Sequence, residues 1–404
     1  MKSFLDLDKN LQLRLVIVFL GSFSYGTVFS SMTIYYNMYM GLALTGLLLA
    51  LMSLASFIAG LVAGHLADRL GRKPAVVGGV ILQVLGAIMA LASNSPLGVN
   101  PWTTYFAFML ISIGFSSIST AGNAMIIDLS DASNRKTVFA LDYWAQNLSV
   151  IFGAAIGAWL FKHYFFELLW ILLATILIEL WIVVFPMTET LPKDFEASRE
   201  NIFHAYMTVA KDKTYMIFLV ANILSISVIF QFDNYLPIHL ADQFQSFYLF
   251  GLEIYGQRMF TIYLIIACVI VVAFMGLVNR LTEGWKNLTG FKIGVVVMTV
   301  GMALSFLTVT WLPMVIAAVV YTIGEMIYTP NVQVIGADLM DPEKIGAYNG
   351  ASFIRQPVGS IIAAGLVSLS AWVGSVGVSA IMSLLTILSI LLASLAVRRH
   401  EKGL

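Results

Sequence analysis

Apolar runs long enough to cross a membrane, separated by short polar or Gly/Pro punctuation, dominate the chain. They fall at about 13–34, 43–66, 74–93, 103–127, 138–161 and 165–186. After one longer polar stretch they resume at about 214–235, 257–279, 291–310, 313–334, 346–370 and 374–397. A spanning helix takes about 20 predominantly apolar residues, so the pattern predicts an all-α membrane protein of twelve transmembrane helices. The polar stretch divides them into an expected amino-terminal six-helix bundle at 1–186, a linker at 187–213 and a carboxy-terminal six-helix bundle at 214–404. Within the linker, Ile202, Phe203, Tyr206 and Met207 fall close to one helical stripe. A helix lying on the membrane surface is one reading of it, and a partly ordered connection is the other.

Composition agrees with the pattern. Hydrophobic residues make up 59% of the 404 and charged residues 11%, with a mean hydropathy of +0.89, too little charge to cover a water-soluble chain. The first ten residues carry acids and lead into an apolar segment without a small-residue cleavage site, so a retained first helix is expected. Net charge is zero, but the basic residues are unevenly placed. With a cytoplasmic amino terminus, all but three of the 22 Lys and Arg, Arg14 among them, fall on the cytoplasmic side; Lys162, Arg258 and Arg355 are the exceptions. A missing span would scramble that asymmetry. A multi-pass cell-membrane protein with both termini cytoplasmic is therefore expected.

Cys268 is the sole cysteine and the five histidines lie at no metal-ligand spacing. No nucleophile–base pair or nucleotide-binding loop is visible, so neither an enzyme nor a cofactor, metal or nucleic-acid binder is expected. The two halves echo each other at an offset of about 210: Asp128-Leu-Ser-Asp131 matches Asp338-Leu-Met-Asp341, and Asp68-Arg69-Leu70 matches Asn279-Arg280-Leu281. Such repeats are how two-half transporters are built.

Between spans 2 and 3 stands Gly64-His-Leu-Ala-Asp68-Arg69-Leu-Gly71-Arg72-Lys73-Pro74. Gly64 permits close helix approach and Gly71 a turn that other residues resist. Asp68 can cap the next helix or accept from a basic partner, and Arg72 and Lys73 hold the loop at the cytoplasmic face. This segment resembles the signature loop of the major facilitator superfamily, G-x-L-x-D-R-x-G-R-[KR]. Further segments, including LDLDKNLQLRL, SYGTVFSSMTIYY, AGNAMIID, LDYWAQNLSV, EIYGQRM and GADLMDPEKIG, resemble multidrug–proton antiporters of that superfamily over essentially the whole chain. The resemblance implies roles in proton coupling or recognition of cationic drugs for Asp68, Asp128, Asp142, Asp233 and Glu325. Two features depart from the wider antiporter pattern: span 4 carries no arginine, and Gly153-Ala-Ala-Ile-Gly157 in span 5 lacks the usual proline.

Four acids fall inside predicted spans: Asp142, Glu179, Asp233 and Glu325. An ionised acid at the bilayer centre costs about 2.5–3.5 kcal/mol, which makes each a candidate for function. Glu325, at mid-depth in span 10, is the leading candidate to alternate between proton and cation; an ion pair with Arg355 is the rival. Asp142 is followed by Tyr143 and Trp144, a setting suited to an amphipathic cation, against a helix-start acid favoured by the dipole. Asp233 lies in Gln231-Phe232-Asp233-Asn234-Tyr235, with Arg258 as a candidate ion-pair partner. Asp68 and Asp128 are expected to form a protonation-sensitive conformational lock with Gly64, Arg69, Gly71, Arg72 and Lys73, with ordinary capping as the alternative. Glu179, in a peripheral span, is expected to snorkel or make a local hydrogen bond. Tyr25, Tyr36, Trp144 and Phe232 are candidate substrate-lining aromatics.

The expected function is proton-coupled efflux of lipophilic, mainly cationic drugs by alternating access, conferring antibiotic resistance. The expected partners are protons, such cations and membrane lipids, with the chain a monomer. A lipid or nutrient carrier on the same fold, or a non-transporting membrane sensor, are the alternatives.

Overall fold

A lipid interior offers no hydrogen bonds, so a spanning segment must satisfy its backbone internally, as a helix does. The computed structural model, which describes residues 7–130, 135–191, 209–341, 348 and 351–402, is almost wholly helical. Helices α1 (Lys9–Ser24) and α2 (Ser30–Met40) are joined by a π-helical turn, Tyr25–Phe29, into one span. There follow α3 (Leu42–Leu70), α4 (Arg72–Ser93), α5 (Pro101–Leu129), α6 (Arg135–Leu160) and α7 (Phe165–Val184). Beyond the linker, α8 (Lys213–Ile229), the short α9 (Gln231–Asn234) and α10 (Leu236–Gln243) form another span. The chain continues with α11 (Gly256–Thr282), α12 (Asn287–Leu307), α13 (Trp311–Asp338) and α14 (Arg355–Glu401).

Ten helical stretches of the described residues are long and apolar enough to cross a membrane. One of them, α14, has 47 residues and breaks at Gly374, where φ is 64°. At 1.5 Å per residue it is about 70 Å long, twice a bilayer, and so makes two crossings. Adding α6, whose described apolar part is Trp144–Leu160, gives the twelve spans expected.

Start signals are local. Asp8 accepts from the Asn10 N–H at 2.8 Å, Asn100 from Thr103 ahead of Pro101, and Asp212 from Tyr215 at 2.9 Å, each satisfying a donor the helix start leaves open. Two-stranded hairpins, β1 (Asn94–Ser95) with β2 (Gly98–Val99) and β3 (Phe247–Leu249) with β4 (Leu252–Ile254), connect α4 to α5 and α10 to α11.

The chain separates into two compact units, Met1–Met40 with Leu51–Ser198, and Gly41–Ala50 with Arg199–Leu404. In the first, α4 packs on α5 and α7, and α1 on α5, α6 and α7. The Gly153-x-x-x-Gly157 pair explains the fit of α6: a side chain at either glycine would collide with the backbone of Phe23 or Thr27 beside the π turn. Small residues four apart let helix backbones approach in lipid. In the second unit α12 packs on α13, α8 on α14 and α11 on α13, around a core that includes Phe260, Tyr263, Phe291, Met298 and Phe306.

Arg14, counted among the cytoplasmic-side cations, belongs to α1 and is only 4% exposed. The linker stripe Ile202, Phe203, Tyr206 and Met207, and Asp131 of the repeat, lie outside the described residues.

Candidate functional site

The loop between α3 and α4 is organised by Arg72. Its guanidinium forms ion pairs with Asp68, one turn earlier on α3, and through Nε with Asp128 of α5 at 3.1 Å. Arg72 and Asp128 are largely shielded, whereas the Asp68 side chain is 44% exposed. Asp68 thus pairs with Arg72 and does not cap α4. That cap is Glu189, which the sequence reading did not single out. Its carboxylate accepts from the N–H groups of Arg72 (2.9 Å) and Lys73 (3.1 Å). Burial alone would raise its pKa; the N–H groups of Leu191, Arg72, Thr190 and Lys73 outweigh burial and hold it below the ordinary glutamate range.

Gly71 is needed there twice over. Its φ is +110°, a region that side chains resist, and a methyl group would overlap the Glu189 carboxylate. Lys73 Nζ donates to the carbonyls of Val184 (2.9 Å) and Met187 (2.7 Å), fastening the end of α7. Arg69 is exposed. Gly64 meets Thr120 at an ordinary 3.4 Å, so close helix approach does not account for it.

Deeper in the first unit, the buried Arg14 guanidinium lies flat against Gly122 of α5, where a methyl group would overlap it. Arg14 attracts both Asp142 of α6 and Glu179 of α7, yet forms no salt bridge with either. Asp142 Oδ2 accepts from Gln146 at 2.6 Å. Asp142 Oδ1, Glu179 Oε1 and Arg14 Nε are buried with no hydrogen-bond partner among the described residues. Glu179 is 1% exposed. The expectation of a snorkelling side chain is therefore wrong: α7 turns this residue towards α1, where Arg14 supplies a counter-charge.

In the second unit, Phe232 and Asp233 sit on the short α9, and Glu325 stands one turn after Tyr321 on α13. The two carboxylates repel one another. Next to Asp233 in the chain, Phe232 packs against Phe260, Tyr263 and Tyr321, with ring centroids 5.4, 5.5 and 5.7 Å away, and Tyr263 and Tyr321 lie within electrostatic reach of Glu325. Neither acid has a hydrogen-bond or salt-bridge partner among the described residues. The two proposed ion pairs are not formed. Arg258 donates to the Glu253 carbonyl at 2.6 Å and lies over the Tyr255 ring, while Arg355 lines a cavity of about 330 Å³ with Tyr215, Asn222 and Gln333. A proline follows each acid: Pro237 in the first turn of α10, and Pro330 inside α13, where it removes the N–H group that the Met326 carbonyl would accept.

The remaining aromatics divide. Tyr25 stacks on Phe29 at 5.8 Å and lines a cavity of about 60 Å³ with Gly21, Ser24, Gln83 and Phe115. Tyr36 is fully buried between Tyr35 and Tyr105, a core residue and not a cavity wall. Trp144 is 59% exposed whereas Asp142 is 9% exposed; residues two positions apart on a helix are separated by about 200°, so the tryptophan cannot share the acid's face. The side chain of Tyr143 lies outside the described residues.

Comparison with known proteins places this geometry among transporters. Residues 14–364 match the family described as Major Facilitator Superfamily. The Na(+), Li(+), K(+)/H(+) antiporter of Planococcus maritimus is 27% identical over 390 residues, covering 91% of each chain. Multidrug resistance protein MdtH of Proteus mirabilis (strain HI4320) is 30% identical over 173 residues, 42% of this chain and 40% of that one. Among solved structures, a peptide transporter POT in complex with alafosfalin superposes with a TM-score of 0.76 at 17% identity, covering 98% of this chain and 96% of the other. The nucleoside transporter NupG gives 0.74 at 14% identity, over 96% and 99%. At such identities these structures establish the fold alone.

Proposed function

Because the chain belongs to the major facilitator superfamily and is a membrane transporter, we propose that it exchanges protons for small lipophilic cations by alternating access. The observation that carries this reading is the pair Asp233 and Glu325, two carboxylates beside the Phe232 aromatic cluster, neither with a cationic partner among the described residues. Such a pair must take up either protons or a foreign cation to be stable at membrane depth. Aromatic faces favour an organic cation, through cation–π attraction, over a strongly hydrated metal ion. Protonation removes the charge that holds the substrate, so proton and substrate compete and each favours a different state. Asp142 with Arg14 serves as the corresponding acid of the first unit. The Asp68–Arg72–Asp128 cluster acts as a lock that protonation relaxes, at a face we assign to the cytoplasm together with both termini.

A second reading is exchange of Na⁺, Li⁺ or K⁺ for protons, favoured by the name of the full-length relative from Planococcus maritimus. Proteoliposomes with an imposed pH gradient distinguish the two. Under the first reading ethidium flux follows the gradient and a neutral or anionic amphiphile does not. If Na⁺ collapses the gradient while ethidium does not move, alkali-cation exchange replaces it.

A further inference from the structure

Glu179 has no part in the reading above, yet three observations tie it to Asp142. First, one buried cation, Arg14, stands against two buried carboxylates, and no other charge acts on Glu179 among the described residues. In a medium of low dielectric an uncompensated carboxylate is costly, so neutrality calls for one proton on the cluster. Second, the guanidinium is held flat on Gly122 without bonding either acid, which leaves it free to pair with each in turn. Third, Glu179 Oε1 faces Gly21, which lines the 60 Å³ cavity where Ser24 Oγ and Gln83 Oε1 are also buried and unpartnered. The cavity is lined mostly by apolar side chains, with Ser24, Ser112 and Gln83 as its polar members, and is large enough to hold a water that receives a proton.

We propose that Glu179 is a second proton-exchanging carboxyl of the first unit, sharing the single charge of Arg14 with Asp142. Without substrate, Arg14 neutralises Asp142 and Glu179 carries the proton. When a cationic substrate pairs with Asp142, Arg14 turns to Glu179, whose O–H bond breaks, and the proton leaves to water in the adjoining cavity. Charge balances at every stage: one cation enters the cluster and one proton departs. The inference rests on the cation–proton exchange proposed above and adds a named carrier to it.

The test uses the full-length protein in detergent, titrated with ethidium in weak buffer, with a pH indicator counting protons released per cation bound. Glu179→Gln is expected to release about one proton fewer than wild type and to bind ethidium at least ~10-fold more weakly, because the displaced Arg14 finds no second carboxylate. Glu179→Asp is expected to keep the release. Undiminished release by folded Glu179→Gln overturns the assignment. Wild-type binding with no proton release overturns instead the exchange reading on which it rests. Should the Gln variant not fold, infrared difference spectra decide: ethidium is expected to remove a protonated-carboxyl band that shifts in Glu179→Asp, and a band unmoved by that substitution overturns the assignment.

Discussion

The two units meet the same difficulty, ionisable acids at membrane depth, in opposite ways. In the first, Asp142 and Glu179 flank a buried arginine packed on a glycine. In the second, Asp233 and Glu325 repel one another beside the Phe232 aromatic cluster, with no cationic partner among the described residues. The loops differ in the same sense. Asp68 and Asp128 converge on Arg72, whereas at the matching positions of the second half Asn279 replaces Asp68 and Glu283 replaces Arg72. Each acid pair of the first unit therefore has one arginine as counter-charge, and the second unit is left to be balanced by a proton or a substrate.

The contrast breaks most sharply at Arg14. Arg14→Gln leaves two buried carboxylates without a counter-charge and is expected to cost about 3–5 kcal/mol, read as a lowered melting temperature in detergent. Combining it with Glu179→Gln should recover part of the loss, because the residues share one network. If Arg14→Gln melts like wild type, the buried charge cluster is not a structural element.

In the second unit the sign reverses. Glu325→Gln removes one of two mutually repelling charges and is expected to stabilise by about 1–2 kcal/mol at alkaline pH, where both carboxyls are driven to ionise. A fall in melting temperature there would mean that Glu325 has a counter-charge after all. Between the two partners of Arg72, the shielded Asp128 matters more than the exposed Asp68. Asp128→Asn should cost about 1–3 kcal/mol and Asp68→Asn less than about 1 kcal/mol, measured by the same melts.

The smallest effect concerns Glu189. Its carboxylate is held below the ordinary range, so its cap is intact at neutral pH and is lost only as pH falls below about 4.3 and through the depressed value. Glu189→Gln is expected to cost about 0.5–1 kcal/mol at pH 7, since the group is exposed to solvent screening. The difference from wild type should vanish in acid. A penalty that persists at low pH would assign the effect to packing instead of charge.

Much of this was legible in the sequence, and the gaps have physical reasons. Hydropathy revealed the spans because lipid demands long apolar helices, and the loop motif revealed Asp68 and Arg72 because an acid and a basic residue stand on either side of the Gly71 turn. Glu189 was invisible: it is one more acid in a polar stretch, far along the chain from the helix it caps. The role of Arg14 among buried acids was missed, since a single arginine near a span end does not interrupt its hydropathy and counted only towards the charge asymmetry. Glu179 was misjudged because bundle-facing and lipid-facing positions of α7 are equally apolar, so no periodicity revealed which way it turns. Trp144 is different: its two-residue offset from Asp142 already placed it on another face.

Gradient-driven ethidium transport by Glu325→Gln in proteoliposomes tests the central claim most directly. The variant is expected to bind ethidium more weakly and to show flux that no longer responds to an imposed pH gradient. Transport that remains fully driven by the gradient, at the wild-type rate, would contradict the account.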